Sequence, residues 1–251
     1  MGKIIAVVNQ KGGVGKTTTA VNLTAALHDL GLKVLLVDFD PQANASSGLG
    51  VDKRDIKHSV YDVVINDLDP AKAIVSTTYG DVLPSHADLA GAGVELLSKE
   101  NANYRLAEAL KKVRNRYDMI LIDCPPSLEL LTLNGLSAAD GILVPVQCEY
   151  YALEGLSDLM RTLRAVKQRI NPRLEIFGVA LTMFDGRTNF SNQVAEEVRR
   201  HFPGKVFGTV VPRNVRLAEA PSHGLPVTAY DKSSRGAKAY VAMAEEIKAK
   251  L

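Results

Sequence analysis

The chain has 251 residues, 46% of them hydrophobic and 23% charged, with a net charge of +2; this balance excludes a disordered chain and suffices for one large α/β core. No apolar run approaches the roughly 20 residues that cross a bilayer, and no charged n-region precedes the first hydrophobic stretch, so a cytoplasmic protein is expected. Two cysteines, Cys124 and Cys148, make neither a disulfide framework nor a four-ligand metal centre and are expected buried and inert at strand ends.

Residues 4–8, IIAVV, form a short β-branched run of the kind buried on both faces of a parallel sheet. Beyond it, Gly12, Gly13 and Gly15 let the backbone turn tightly and bring N–H groups up to an anion, which a Cβ would obstruct. From Thr17 a helix begins, and its unpartnered first N–H groups and dipole favour negative charge. Strand, glycine turn and helix in that order make a phosphate cradle, in which Lys16 reaches the β- and γ-phosphates and the Thr17 hydroxyl ligates Mg²⁺. The general motif GxxxxGK(S/T) requires glycine at position 10, but Gln10 stands there, and a second lysine, Lys11, opens the loop.

Val21, Leu23, Ala25, Ala26, Leu27 and Leu30 continue the helix as an apolar stripe that Gly31 closes. A second buried strand, residues 33–37, ends in VDFDPQ. Asp38 and Asp40 thereby fall on the edge where doubly wound folds bind ligands, and Pro41 stops the strand so that a turn presents Asp40. QANASSGLG, small and polar, reads as a mobile connection suited to sensing a γ-phosphate. SVYDVV and LAGAGVELL have helical periodicity, while AIVS and DVLPSH read as a short strand and a strand end. Ser85, His86 and Asp88 share one loop without a nucleophile elbow, so helix capping by Ser85 or Asp88 is expected there rather than hydrolysis.

Residues 103–115 repeat helically through Leu106, Ala109, Leu110 and Val113. YDMILIDCPPS then places Asp123 after four apolar residues, the form of a Walker B strand whose acid holds Mg²⁺, usually through its waters. Pro125 and Pro126 stiffen the loop beyond it. GILVPVQ and EYYALEGLSDLMRTLRAV add another β-α unit. The last third reads as a strand, LEIFGVALTMF, an N-capped helix, DGRTNFSNQVAEEVRRHF, a strand, VFGTVVPRN, the segment VRLAEAPSHG, and a final helix from about Ser233. From Arg199 onward ten Lys or Arg accompany four Asp or Glu, a weak pointer to a polyanion-binding face.

KGGVGKTT, VDFDPQ, DCPPSL, EYYALEG, FDGRTN and PRNVRLAEAPSHG occur in this order across residues 3–250. On these strings the chain resembles the deviant-Walker ATPases, the family of ParA, Soj and MinD, and within it the small chromosomal ParA of Soj type. The resemblance implies a single P-loop ATPase domain over residues 1–251: three α/β/α layers around a twisted, mainly parallel sheet with helices on both faces. It implies that Lys11, Gly12, Gly13, Val14, Gly15, Lys16, Thr17 and Thr18 cradle ATP, with Lys11 reaching across a sandwich homodimer to the nucleotide of the second protomer. Lys11, Lys16 and Asp40 are the implied catalytic residues, Asp40 standing beside the attacking water. Thr17, Asp38 and Asp123 are the implied Mg²⁺ residues, and Met183, Pro212 and Asn214 take the places that hold adenine.

Arg187 and Arg216 match arginines with which the chromosome-partitioning branch binds DNA non-specifically; Lys232, Arg235 and Lys248 are added from local basicity. The implied cycle is slow ATP hydrolysis, accelerated by a ParB/Spo0J-type protein, that releases an ATP dimer from nucleoid DNA. The alternative is a relative that positions a protein cargo, or regulates replication or septum placement, through protein contacts. Other branches fit less well. The ending YVAMAEEIKAKL has too little bulky apolar surface for a membrane helix, Cys124 directly follows Asp123 rather than standing where an iron–sulfur cluster needs it, and no helix-turn-helix precedes a P-loop strand that begins at residue 3. One departure from the family is Ala43, where glycine is common after DPQ; it is expected to stiffen the loop.

Overall fold

The computed structural model describes residues 2–127, 129–149 and 152–251, of which 152–155 by their backbone alone. Leu128, Tyr150 and Tyr151, from the DCPPSL and EYYALEG strings, lie outside the described residues. Seven strands form one sheet: β1 Lys3–Val7, β2 Val34–Asp38, β3 Val75–Thr77, β4 Gly80–Leu83, β5 Met119–Asp123, β6 Gly141–Gln147 and β7 Glu175–Thr182. Their spatial order is β3-β4-β2-β5-β1-β6-β7. Every pairing is parallel except the β3–β4 hairpin at one edge.

The central strands are apolar throughout because both faces are covered. Alternate residues go to opposite cores. Ile5, Val7, Leu36 and Leu121 pack with Ala20, Leu23, Leu27, Tyr240 and Met243 of the helices Lys16–Asp29 and Arg235–Lys248. Ile4, Ala6, Leu35, Val37, Ile120 and Ile122 pack with Leu89, Leu106, Leu136 and Leu159 on the other side, from the helices Leu89–Leu97, Arg105–Lys111, Leu130–Ala138 and Ala152–Arg169. These are the three α/β/α layers expected. Among the described residues no helix is long and apolar enough to cross a membrane, and the apolar face of the last helix is already occupied by the sheet and the helix Lys16–Asp29.

Four local expectations are corrected. QANASSGLG is a buried helix, Asn44–Gly48, rather than a loose connection; Ala45, Ser46 and Leu49 are fully or almost fully enclosed. VFGTVVPRN forms no ladder strand. It runs beside β7 through isolated bridges of Val206 to Val179 and Pro212 to Phe184, because between them the Gly208 and Thr209 N–H groups donate to the Glu246 carboxylate at 2.9 and 2.7 Å. Asp88 occupies an N-cap position but caps nothing, since its carboxylate lies 3.0 Å from His86 Nδ1; the buried Ser85 hydroxyl likewise caps nothing and has no partner. The helix expected over 103–115 is shorter, Arg105–Lys111, followed by a 3-10 turn, Arg114–Arg116.

The helix Leu130–Ala138 is an addition. Its LLTLNGLSA is apolar on nearly every side, so no amphipathic period marks it. Gly135 permits its approach to the sheet, since a Cβ there would meet Cys124 Sγ at 2.7 Å. Two N-caps in the last third follow the residue chemistry: Thr188 accepts from Ser191 N at 3.2 Å and Ser234 from Ala237 N at 3.1 Å.

Candidate nucleotide and metal site

The loop between β1 and the helix Lys16–Asp29 is pinned from below. Asn9 donates to Pro145 O at 2.8 Å and accepts from Lys11 N at 3.0 Å, while the Thr182 hydroxyl donates to Val14 O at 2.9 Å. Gly13 and Gly15 have φ of 74° and 90°, the left-handed region that favours glycine. A Cβ at Gly12 or Gly13 would meet no protein atom within 4 Å, so the space over the loop is open to a ligand. Lys16 is buried, and its ammonium donates back to Lys11 O at 3.2 Å. Burial lowers its pKa, against the pull of Asp123 and Asp40. Thr17 and Thr18 stand half-exposed on the first turn.

Register brings the two strand-end acids together: Asp38 of β2 pairs directly with Asp123 of β5. Both are fully buried, yet they differ in partners. Asp38 Oδ2 accepts from Ser46 N and from Ser46 Oγ, each at 2.7 Å, and Oδ1 accepts from Asp40 N at 3.3 Å. Its pKa is pushed up to about 6 by burial, which those hydrogen bonds only partly offset. Neither oxygen of Asp123 has a hydrogen-bond partner. Burial and then the Asp38 charge push its pKa well up; the Thr17 hydroxyl offsets part of this without reaching hydrogen-bond geometry. An orphaned buried carboxylate beside a threonine hydroxyl is the donor set of a cation that keeps most of its own water. Consistent with such a sparse set, no group of three or more His, Cys, Asp or Glu converges among the described residues.

Asp40 stands half-exposed in the turn after β2, where its Oδ1 accepts from Gln42 N at 3.0 Å. The turn enters the next helix through Ala43, which is buried with φ 52°. Beside the loop lies a cleft of about 340 Å³ that shares Gly15 and Thr18 with it and is otherwise lined by Met183, Pro212, Asn214 and Tyr240, among others. The three residues expected to hold a base are therefore together. Sequence reasoning missed Tyr240, which arrives from 221 residues away and whose hydroxyl lies 3.1 Å from Thr19 Oγ1; no local signal marks it. Larger hollows of about 510 and 870 Å³ open at the opposite edge of the sheet, around Lys33 and Lys3, away from the phosphate loop.

The basic candidates divide. Arg216, in the helix Val215–Glu219, lies 2.7 Å from Glu219 and 3.3 Å from Asp231, just before exposed Lys232 and Arg235. Arg187 is highly exposed, with a 2.9 and a 2.7 Å bond to Asp185; its loop runs beside the one that leads to Arg216, since Arg213 N donates to Phe184 O at 3.2 Å. Lys248 stands apart at the far end of the last helix, where it donates to Leu30 O at 2.8 Å.

A family model described as an AAA domain matches residues 2–176. The sporulation initiation inhibitor protein Soj of Bacillus subtilis is 56% identical over 251 residues, covering 99% of each chain. The chain belongs to the ParA/Soj family of P-loop ATPases. A second ParA/Soj relative, the chromosome partitioning protein ParA of Myxococcus xanthus, is 52% identical over 250 residues and covers 98% of this chain and 88% of its own. Among solved structures, one described as a cobyrinic acid a,c-diamide synthase from Mycobacterium smegmatis, with bound ADP and magnesium, superposes with a TM-score of 0.85 at 40% identity, covering 98% of this chain and 93% of that one. The match to Soj spans the loop, both acids and the cleft beside them.

Proposed function

We propose that this ParA/Soj protein binds Mg-ATP, dimerises around it, holds DNA without sequence preference as the ATP dimer, and lets go when a ParB-type protein accelerates an otherwise slow hydrolysis. The bare Asp123 carboxylate facing the Thr17 hydroxyl and Lys16 carries the nucleotide part of this reading. The ADP and magnesium of the Mycobacterium smegmatis relative and the partitioning names of the curated relatives support the rest.

Lys16 exchanges the Lys11 carbonyl for the β- and γ-phosphates, and the N–H groups of the glycine loop and helix start receive the remaining charge. Thr17 and Asp123 would hold Mg²⁺, with Asp38 behind them, and the ion, when bound, would supply positive charge to the phosphoryl groups during transfer. Met183, Pro212 and Asn214 enclose the base. Asp40 orders the attacking water from a turn that β2 anchors. Arg187 and Arg216 are exposed guanidiniums whose acidic partners a phosphate can displace, and such contacts fall on the backbone of the duplex rather than on base edges.

The test is retention of an Asp40→Ala dimer, formed with ATP, on two unrelated duplexes across a salt series. Equal affinity for both is expected, with log K falling by about 0.9 per phosphate contact for each tenfold rise in salt. Arg187→Ala and Arg216→Ala should each flatten that slope by about one. Absence of binding by the parent dimer at low salt would favour the cargo-positioning alternative.

A further inference from the structure

We propose that Ser46 is a positioning residue for ATP hydrolysis, a hydroxyl latch that fixes the Asp40 turn against β2. The proposal rests on the reading that Asp40 orders the attacking water. Asp38 and Ser46 lie eight residues apart and bracket Asp40 in the chain; the N–H and hydroxyl of Ser46 both donate to the same Asp38 oxygen, each at 2.7 Å. From the end of β4, Ser85 N donates to Ser46 Oγ at 3.1 Å. An amide N–H can only donate, so the hydroxyl proton of Ser46 is committed to Asp38.

Asp38, Ser46 and Ser85 are all fully buried. Hydrogen bonds to a carboxylate are the strong kind. Within the closed loop the bonds are local: Asp40 N donates to Asp38 Oδ1 at 3.3 Å, Gln42 N to Asp40 Oδ1 at 3.0 Å, and Ala43 N to Asp40 O at 2.9 Å. Both ends of the segment carrying Asp40 are thus tied to one carboxylate, and the second strand-end anchor, Ser85, fixes where the tie is made. Ser46 is fully enclosed, so it acts through Asp40.

Ser46→Ala keeps the backbone bond to Asp38 and removes both links of the hydroxyl, the one it donates to Asp38 and the one it accepts from Ser85 N; the two cores that hold the fold are untouched. The variant's kcat for ATP should fall about tenfold with KM little changed. In an Asp40→Ala background the same substitution should have no further effect on single-turnover phosphate release. In the nucleotide-free protein, amide hydrogen exchange over residues 40–48 should quicken about tenfold while that of β1 is unchanged. Parent-like turnover and exchange in Ser46→Ala, or an equal loss in the Asp40→Ala background, would overturn the latch. Parent-like turnover in Asp40→Ala alone would instead overturn the role of Asp40, whatever the exchange shows.

Discussion

Ala43 adopts φ 52° and ψ 35° at a buried position, a left-handed conformation that costs a residue with a Cβ roughly 1 kcal/mol. Glycine adopts this conformation without that penalty. Ala43→Gly should stabilise the protein by about 0.5 kcal/mol, the relief of strain slightly exceeding the added chain entropy of glycine; urea unfolding would register it, and a loss of stability would show the turn to be unstrained. Asp38 and Asp123 make a second prediction at this scale. A carboxylate whose pKa is raised on folding binds its proton more tightly in the native state, so its stabilisation is full below about pH 4 and is lost as pH rises through the folded value. For Asp38, raised to about 6, the loss is on the order of 3 kcal/mol. The melting temperature of the protein free of nucleotide and Mg²⁺ should therefore fall between pH 5 and pH 7.5. Asp123→Asn, which removes one of the two buried charges, should melt above the parent at pH 7.5 with a gap that narrows at pH 5; a variant melting below the parent at pH 7.5 would mean that Asp123 is paired after all.

At the scale of elements, the segment beside β7 shows why alternation is an incomplete guide. Val206, Phe207 and the later valines have strand-like residues, but whether their N–H groups join a ladder depends on Glu246, 37 and 38 residues further on. This carboxylate holds the segment that supplies Val211, Pro212 and Asn214 to the cleft beside the phosphate loop. Glu246→Ala should cost about 1–2 kcal/mol in thermal or urea unfolding and weaken nucleotide binding several-fold by calorimetry, with phosphate-loop substitutions unaffected in kind. An unchanged affinity would separate the segment's position from the Glu246 bond. The P-loop, both acidic strand ends and the last helix were legible because their signals are local: glycine φ, strand-end position, helical spacing and caps. The helix Leu130–Ala138 was not, since a helix buried all round has no polar face to give it a period. Nor was Ser46, whose meaning comes only when the chain folds back onto Asp38.

For the whole molecule, assembly is the level at which the two loop lysines separate. Lys16 is buried within its own loop; if it balances phosphate charge there, Lys16→Ala should abolish nucleotide binding. Lys11 opens the same loop at partial exposure; if it serves the nucleotide of a second protomer, Lys11→Ala should bind ATP as a monomer and fail to dimerise. Calorimetry paired with light scattering distinguishes these outcomes, and a normal ATP dimer of Lys11→Ala would refute the cross-protomer role. The mainly parallel sheet with helices on both faces was expected from the family strings, whereas the strand order, the approach of Arg216 to the segment carrying Lys232 and Arg235, and the separation of Lys248 from them follow from tertiary packing that no stretch of basic sequence encodes.

Both native thiols are shut away from solvent: Cys124 is 1% and Cys148 2% exposed, and burial raises each pKa, that of Cys148 to about 11. A protonated, enclosed thiol does not react with maleimides near neutral pH. The wild-type background is consequently a ready substrate for site-specific labelling. One cysteine introduced at an exposed position such as Leu97, 73% accessible, would carry a single fluorophore or spin label without any native cysteine being removed, and paired labels on two protomers would follow association and release in real time.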